Sequence, residues 1–157
     1  MPDREEIEFR PCPPDEDPAA GLIAAMVAEL RQRYRIEGER LGVPLEPSEL
    51  APPAGTYLVG WAGERAVAGG GLRTIGPGLG EIKRMYVAPG WRGKGVARRL
   101  LDALEEAARG LGMDTVRLDT GPEQPDARHL YQTAGYRPID NYNGNVHAAF
   151  WGEKSLS

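Results

Sequence analysis

"GWRGKGVARRLL", residues 90–101, sets three glycines and four cations in twelve positions and then turns into an apolar ladder. Bare backbone, positive charge and a helix start in one place suit an anionic ligand. The first turn of a helix leaves N–H groups unpaired and carries partial positive charge. Glycine lets a phosphate approach that backbone closely. Two phosphate loops are excluded here. A P-loop follows Gly-Lys with Ser or Thr, whereas Lys94 is followed by Gly95 and Val96. A dinucleotide loop needs a third glycine three residues after the second, and Arg98 stands there.

Working outward, "EIKRMYV" (81–87) reads as a strand stopped by Pro89 and Gly90. From Val96 to Leu111 the apolar residues Val96, Leu100, Leu101, Leu104, Ala108 and Leu111 form a stripe of helical period, with Arg99, Asp102, Glu106 and Arg109 on the solvated face. Gly110 and Gly112 end that helix. Before the loop, residues 7–12, 56–62 and 66–75 read as strands. "AAGLIAAMVAELRQRY" reads as a helix with Leu22, Ile23, Met26, Val27 and Leu30 on one stripe, and a second helical piece is expected at 35–41. "PLEPSELAPPAG" reads as a proline-rich loop. After the loop come a strand at 115–120, a short helix at 126–135 and two closing strands, "YRPI" and "HAAFWGEKSL". The order predicts an α/β fold in one domain spanning 1–157, with one main sheet.

"RGKGVA" (92–97) fits Arg/Gln-x-x-Gly-x-Gly/Ala, and the strand, loop and helix from Glu81 to Gly112 resemble the acetyl-CoA motif of the GNAT superfamily of N-acetyltransferases. "ARHLYQTAGYRPI" resembles the second motif of the same superfamily. The resemblance implies a mixed, mostly antiparallel sheet of six to seven strands flanked by about four helices. It implies that amides from Gly93 through Lys94, Gly95 and Val96 to Ala97 hold the pyrophosphate of acetyl-CoA, with Arg92 and Lys94 adding charge and no metal required. Met85, Tyr86 and Val87 would bind the pantetheine through strand backbone. Many relatives carry an asparagine seven residues before the tyrosine of the second motif; Gln124 stands there instead.

Amine acylation needs loss of a proton from an ammonium, support for an oxyanion and a proton for the leaving thiolate. No enzyme-bound acyl group is needed, and the chain has no Ser/His/Asp order or activated cysteine. By resemblance Tyr131 is the proton donor, the alternative being that it packs the short helix on the sheet. The same resemblance implies that the Met85 N–H is the oxyanion donor. Glu81 reads as general base, as substrate-binding carboxylate or as strand-end charge. Alternation sets Glu81, Lys83, Met85 and Val87 on one face until a bulge shifts it, and Lys83 is near enough in sequence to pair with Glu81.

A formal charge of −4 disfavours nucleic acid as a partner. No apolar run approaches the roughly 20 residues of a membrane span, and the charged start "MPDREEIEF" is unlike a signal peptide. The single cysteine, Cys12, allows no internal disulfide and reads as structural, so the expected location is the cytoplasm. The expected acceptor is the primary amine of a small molecule. Acetylation of a protein N-terminus or lysine, or a non-catalytic acyl-CoA-binding module, are the alternatives. Tyr34, Arg35, Tyr142, Asn143 and Asn145 are candidate acceptor contacts. Trp91 reads as a packing residue, His129 and His147 lack a metal-ligand pattern, and a homodimer through the late strands is a further expectation.

Overall fold

The computed structural model describes residues 6–34, 45–121, 125–146 and 148–156. The strands are β1 (Glu8–Pro11), β2 (Gly55–Ala62), β3 (Arg65–Gly76), β4 (Leu79–Val87), β5 (Thr115–Thr120), β6 (Arg137–Pro138) and β7 (Phe150–Ser155), and the α-helices are α1 (Ala19–Tyr34), α2 (Val96–Gly110) and α3 (Pro125–Thr133). They build one seven-stranded sheet in the order β1-β2-β3-β4-β5-β7-β6. Every pairing is antiparallel except β4 with β5. The expected helix at 35–41, Arg35 within it, lies outside the described residues. The proline-rich loop contains a short 3-10 turn, Pro47–Leu50. Its Leu50 packs into the core. β7 lies between β5 and β6, pairing with β6 at Gly152 and Glu153.

Strand alternation gives the sheet two apolar faces. On one, Leu58, Ala68, Leu72, Ile82, Val116 and Leu118 meet α2 through Val96, Leu100, Leu101 and Leu104, and α3 through Tyr131. On the other, Tyr57 and Val59 meet Ala19 and Leu22 of α1, and Leu50. The close fit needs small residues in β3: a Cβ on Gly70 would stand 2.9 Å from Leu104 Cδ1 and 3.2 Å from Met85 Cγ. α2 is also fixed at its far end. Its buried Glu105 accepts from Tyr136 Oη and from Lys154 Nζ, both at 2.8 Å. Among the described residues no helix is long and apolar enough to cross a membrane.

Two departures from regular pairing set up the site. The parallel ladder between β4 and β5 runs only from Leu79/Thr115 to Glu81/Arg117, although both strands continue, so they separate beyond Glu81. In β4, Gly69 faces Tyr86 and Gly71 faces Lys83, so three steps on β4 match two on β3. This bulge falls at Arg84, whose φ is 59°. An inserted residue flips strand parity. Met85 and Val87 therefore pack with Ile82 on the α2 face, whereas simple alternation would have left them beside Glu81 and Lys83. Tyr86 turns to the α1 face.

Candidate active site

Beyond the point where β4 and β5 separate, a cleft of about 600 Å³ opens between α1, the end of β4, the 88–95 loop, α2 and α3. Met85, Tyr86, Val87, Arg92, Gly93, Gly95, Val96, Ala97 and Tyr131 all line it. Lys94 does not line it; its Nζ lies over the Trp91 ring, 5.2 Å from the centroid. Trp91 is partly buried against the core, as a packing residue. Gln124 lies outside the described residues.

The floor of the cleft is backbone. Gly93 and Gly95 have φ of 74° and 77°, a region that only glycine enters without steric penalty. Gly95 caps α2 with no side chain on the free amides and no acidic residue in the first turn. The first helical bond there runs from Arg99 N to Gly95 O at 3.2 Å, so the amides of Val96, Ala97 and Arg98 precede any intrahelical acceptor. Open amides at the positive end of a helix fit a pyrophosphate. Arg92 spans the rim: Nε donates to Val87 O at 2.8 Å, Nη2 donates to Glu29 Oε2 of α1 at 2.7 Å, and the guanidinium stands over the Tyr86 ring. The hydrogen bond that Arg92 donates to Glu29 holds its guanidinium even more firmly protonated than usual.

Tyr131 is 7% exposed. Its Oη lies 3.7 Å from Met85 Sδ and its ring meets Tyr136 edge-on at 6.0 Å. Burial, then the charge of Asp119, raises the hydroxyl pKa above the ordinary phenol value. The hydroxyl therefore keeps its proton at neutral pH, as a proton donor must.

Glu81 sits on the opposite face of the sheet, fully buried. Arg73 Nε donates to its Oε1 at 2.9 Å; Tyr142 Oη and Asn143 Nδ2 donate to Oε2 at 2.5 and 3.1 Å. Lys83 does not pair with it. Register puts Arg73 directly across from Glu81, and Lys83 Nζ reaches Asp119 Oδ2 instead, at 3.4 Å. Asp119 also accepts from Asn143 Nδ2 at 2.6 Å and Asn145 Nδ2 at 3.3 Å. The loop carrying Tyr142, Asn143 and Asn145 is thereby folded onto one buried and one half-buried carboxylate. Trp151 Nε1, donating to Asn143 Oδ1 at 3.1 Å, fixes the shared amide. Sequence reasoning did not single out Asp119 or Arg73. A usable signal was present: Thr115, Arg117 and Asp119 give one face of a mid-sheet strand wholly polar side chains, and such a face requires a polar cover.

Among the described residues no group of three His, Cys, Asp or Glu could hold a metal ion. Cys12 is half-buried beside the α1 core and far along the chain from the cleft.

Comparison with known proteins agrees with the fold. The acetyltransferase (GNAT) family model matches residues 23–136. An IAA acetyltransferase of Azospirillum brasilense is 34% identical over 125 residues, covering 78% of this chain and 79% of the relative. A solved structure from Klebsiella pneumoniae subsp. pneumoniae, provisionally named an acyl-CoA N-acyltransferase, is 29% identical with a TM-score of 0.80, covering 98% of this chain and 99% of that one. A GNAT family acetyltransferase from Elizabethkingia anophelis with acetyl-CoA bound shares the fold at a TM-score of 0.67 and 16% identity, covering 96% and 98%.

Proposed function

The chain belongs to the acetyltransferase (GNAT) family, and from that premise we propose that it acetylates the primary amine of a small molecule by direct attack. It is an N-acetyltransferase with acetyl-CoA as acyl donor. The observation that carries the proposal is the Tyr131 hydroxyl, buried, protonated and 3.7 Å from Met85 Sδ where β4 and β5 separate. Bound acetyl-CoA supplies an activated thioester there. The amides from Gly93 to Ala97 bind its pyrophosphate, Arg92 adds positive charge, and the backbone of Met85, Tyr86 and Val87 aligns the pantetheine. The Met85 N–H donates to the carbonyl oxygen as charge develops on it, and Tyr131 Oη gives its proton to the departing sulfur.

Glu81 is the base in this reading, and its burial means that it works through a partner. Tyr142 Oη takes the amine proton as it passes its own to Glu81 Oε2. Arg73 occupies the other carboxylate oxygen and Glu81 is reached only through Tyr142, so its share of the rate is smaller than that of Tyr131. Direct attack is supported by the cleft lining, in which the described residues include no serine, threonine or cysteine. A small acceptor is supported by the 141–145 loop, which Tyr142 and Asn143 tie down onto Glu81 and Asp119. The reading also puts the enzyme in the cytoplasm, where a lone cysteine stays reduced.

The test is thiol release from acetyl-CoA over a panel of amines and short peptides. Tyr131→Phe is expected to lower kcat by about 100-fold while the thermal shift given by acetyl-CoA is kept. Release with peptides alone, or none above background hydrolysis, overturns the small-molecule reading.

A further inference from the structure

Arg84 is the residue at the β4 bulge and, among the described residues, the only non-glycine with positive φ, at 59°. Glycine or asparagine would hold this conformation at lower cost, so an arginine here calls for a reason in its side chain. The backbone of the bulge already serves the neighbouring Met85 N–H. The guanidinium is half-buried, yet among the described residues it meets no carboxylate and makes no hydrogen bond. The other arginines of this part of the sheet are matched: Arg73 with Glu81 and Glu49, Arg92 with Glu29, Arg117 with Glu153.

A second orphan lies beside it. Tyr57 Oη is buried with no hydrogen-bond partner, and Tyr57 and Arg84 act on each other electrostatically. Burial, and the nearby positive charge of Arg73, both disfavour the Arg84 cation. Tyr57 packs in the α1 cluster, on the sheet face away from α2, which is also the face of Glu81. Arg84 is also one residue from each working element. Lys83 reaches Asp119 across the gap between β4 and β5, and Met85 touches Tyr131. A half-buried, unmatched guanidinium next to an unmatched hydroxyl lacks one thing, an anion with two oxygens, and the planar fork of arginine suits a carboxylate.

We propose that Arg84, with Tyr57 Oη, is the acceptor's carboxylate anchor, so that the enzyme acetylates amines that carry a carboxylate close by, as compact amino acids do. This rests on the small-molecule reading above and narrows it. The arrangement also orients the acceptor. A carboxylate held one residue before Met85 leaves an amine a few bonds away facing the carbonyl that Met85 polarises.

The experiment compares kcat/KM for free amino acids with kcat/KM for their carboxamides, measured as thiol release. The wild-type ratio is expected to favour the carboxylate by about tenfold or more, the worth of a charge-assisted hydrogen bond. Arg84→Gln is expected to bring the ratio near one, and Arg84→Lys to restore part of it. Arg84→Gly is the folding control: it relaxes the left-handed backbone, so its Tm should equal or exceed that of wild type while the ratio collapses. A wild-type ratio of one or below, or a ratio unchanged in Arg84→Gln and Arg84→Gly, overturns the anchor and leaves the acetyltransferase reading standing. No turnover with any small amine, despite a thermal shift from acetyl-CoA, overturns both.

Discussion

In the function proposed above, the donor and acceptor sides of this sheet are built on opposite plans. The donor side is backbone: two left-handed glycines, open amides at the start of α2 and strand edges at Met85 and Val87. The acceptor side is side chains: Arg73, Glu81, Tyr142, Asn143 and Asp119, joined by hydrogen bonds of 2.5 to 3.1 Å across elements far apart in sequence. Backbone suits a donor that never changes. Side chains can be exchanged one at a time, which is how one fold serves many acceptors. The two plans also respond differently to substitution.

The largest expected effect is on the acceptor side. Glu81→Ala would leave Arg73, whose side chain is 11% exposed, with only the 40%-exposed Glu49. Breaking a buried pair by removing one partner costs about 3 kcal/mol, to be read as a lower denaturant midpoint at unchanged slope. The donor side offers the control, because Arg98→Ala removes an exposed bridge to Asp102. Equal losses from the two variants would erase the distinction. Next in size is Gly95→Val. A β-branched residue at φ of 77° costs about 2 kcal/mol, roughly a 30-fold fall in acetyl-CoA affinity if it all appears in binding. Isothermal titration would measure it, and an unchanged affinity would remove the backbone account of pyrophosphate binding.

The same contrast governs what could be read from the sequence. α2 was legible because its signal is local: Val96, Leu100, Leu101, Leu104 and Ala108 recur at helical spacing and all are buried. The glycine loop was legible because its chemistry lies within six residues. The partner of Glu81 was not. Lys83 is nearest in sequence, but strand register places Arg73 opposite, and register depends on the β3 turn and the bulge rather than on neighbours. The bulge itself left no local mark, since nothing in "EIKRMYV" disfavours a regular strand. Asn143 meets Glu81 from 62 positions away and Asp119 from 24, contacts that no window along the chain contains.

A third prediction concerns alkaline pH. Burial raises the hydroxyl pKa of Tyr57, Tyr131, Tyr136 and Tyr142, and nearby carboxylates reinforce it: Asp119 for Tyr131, Glu105 for Tyr136, Glu81 for Tyr142. Unfolded tyrosines lose their protons near pH 10. Above that the folded state holds more protons than the unfolded one, so stability falls as pH rises and is flat below it. Melting across this range should show the decline, with tyrosinate absorbance appearing together with unfolding. Tyr142→Phe should make the decline shallower, and an unchanged slope would mean that this hydroxyl is free to ionise in the fold.

The smallest effect tests the one place where the two plans meet. Glu29 of α1 holds Arg92 on the rim of the cleft and also bonds Arg33 at 3.2 Å. With the Arg92 side chain 40% exposed and Glu29 29% exposed, screening keeps the pair within about 1 kcal/mol. Two effects of opposite sign follow from Glu29→Gln. Loss of the pair loosens α1 against the loop, whereas loss of a carboxylate beside the phosphate amides removes repulsion and releases Arg92 for the pyrophosphate. The second is the larger, because it involves charges that meet the ligand directly in the cleft. The KM for acetyl-CoA should therefore fall, by less than about tenfold, with a steeper salt dependence as Arg92 turns from Glu29 to phosphate. A rise in KM would mean that Arg92 is more useful fixed than free, and that α1, the helix of the acceptor side, helps to shape the donor site through Glu29.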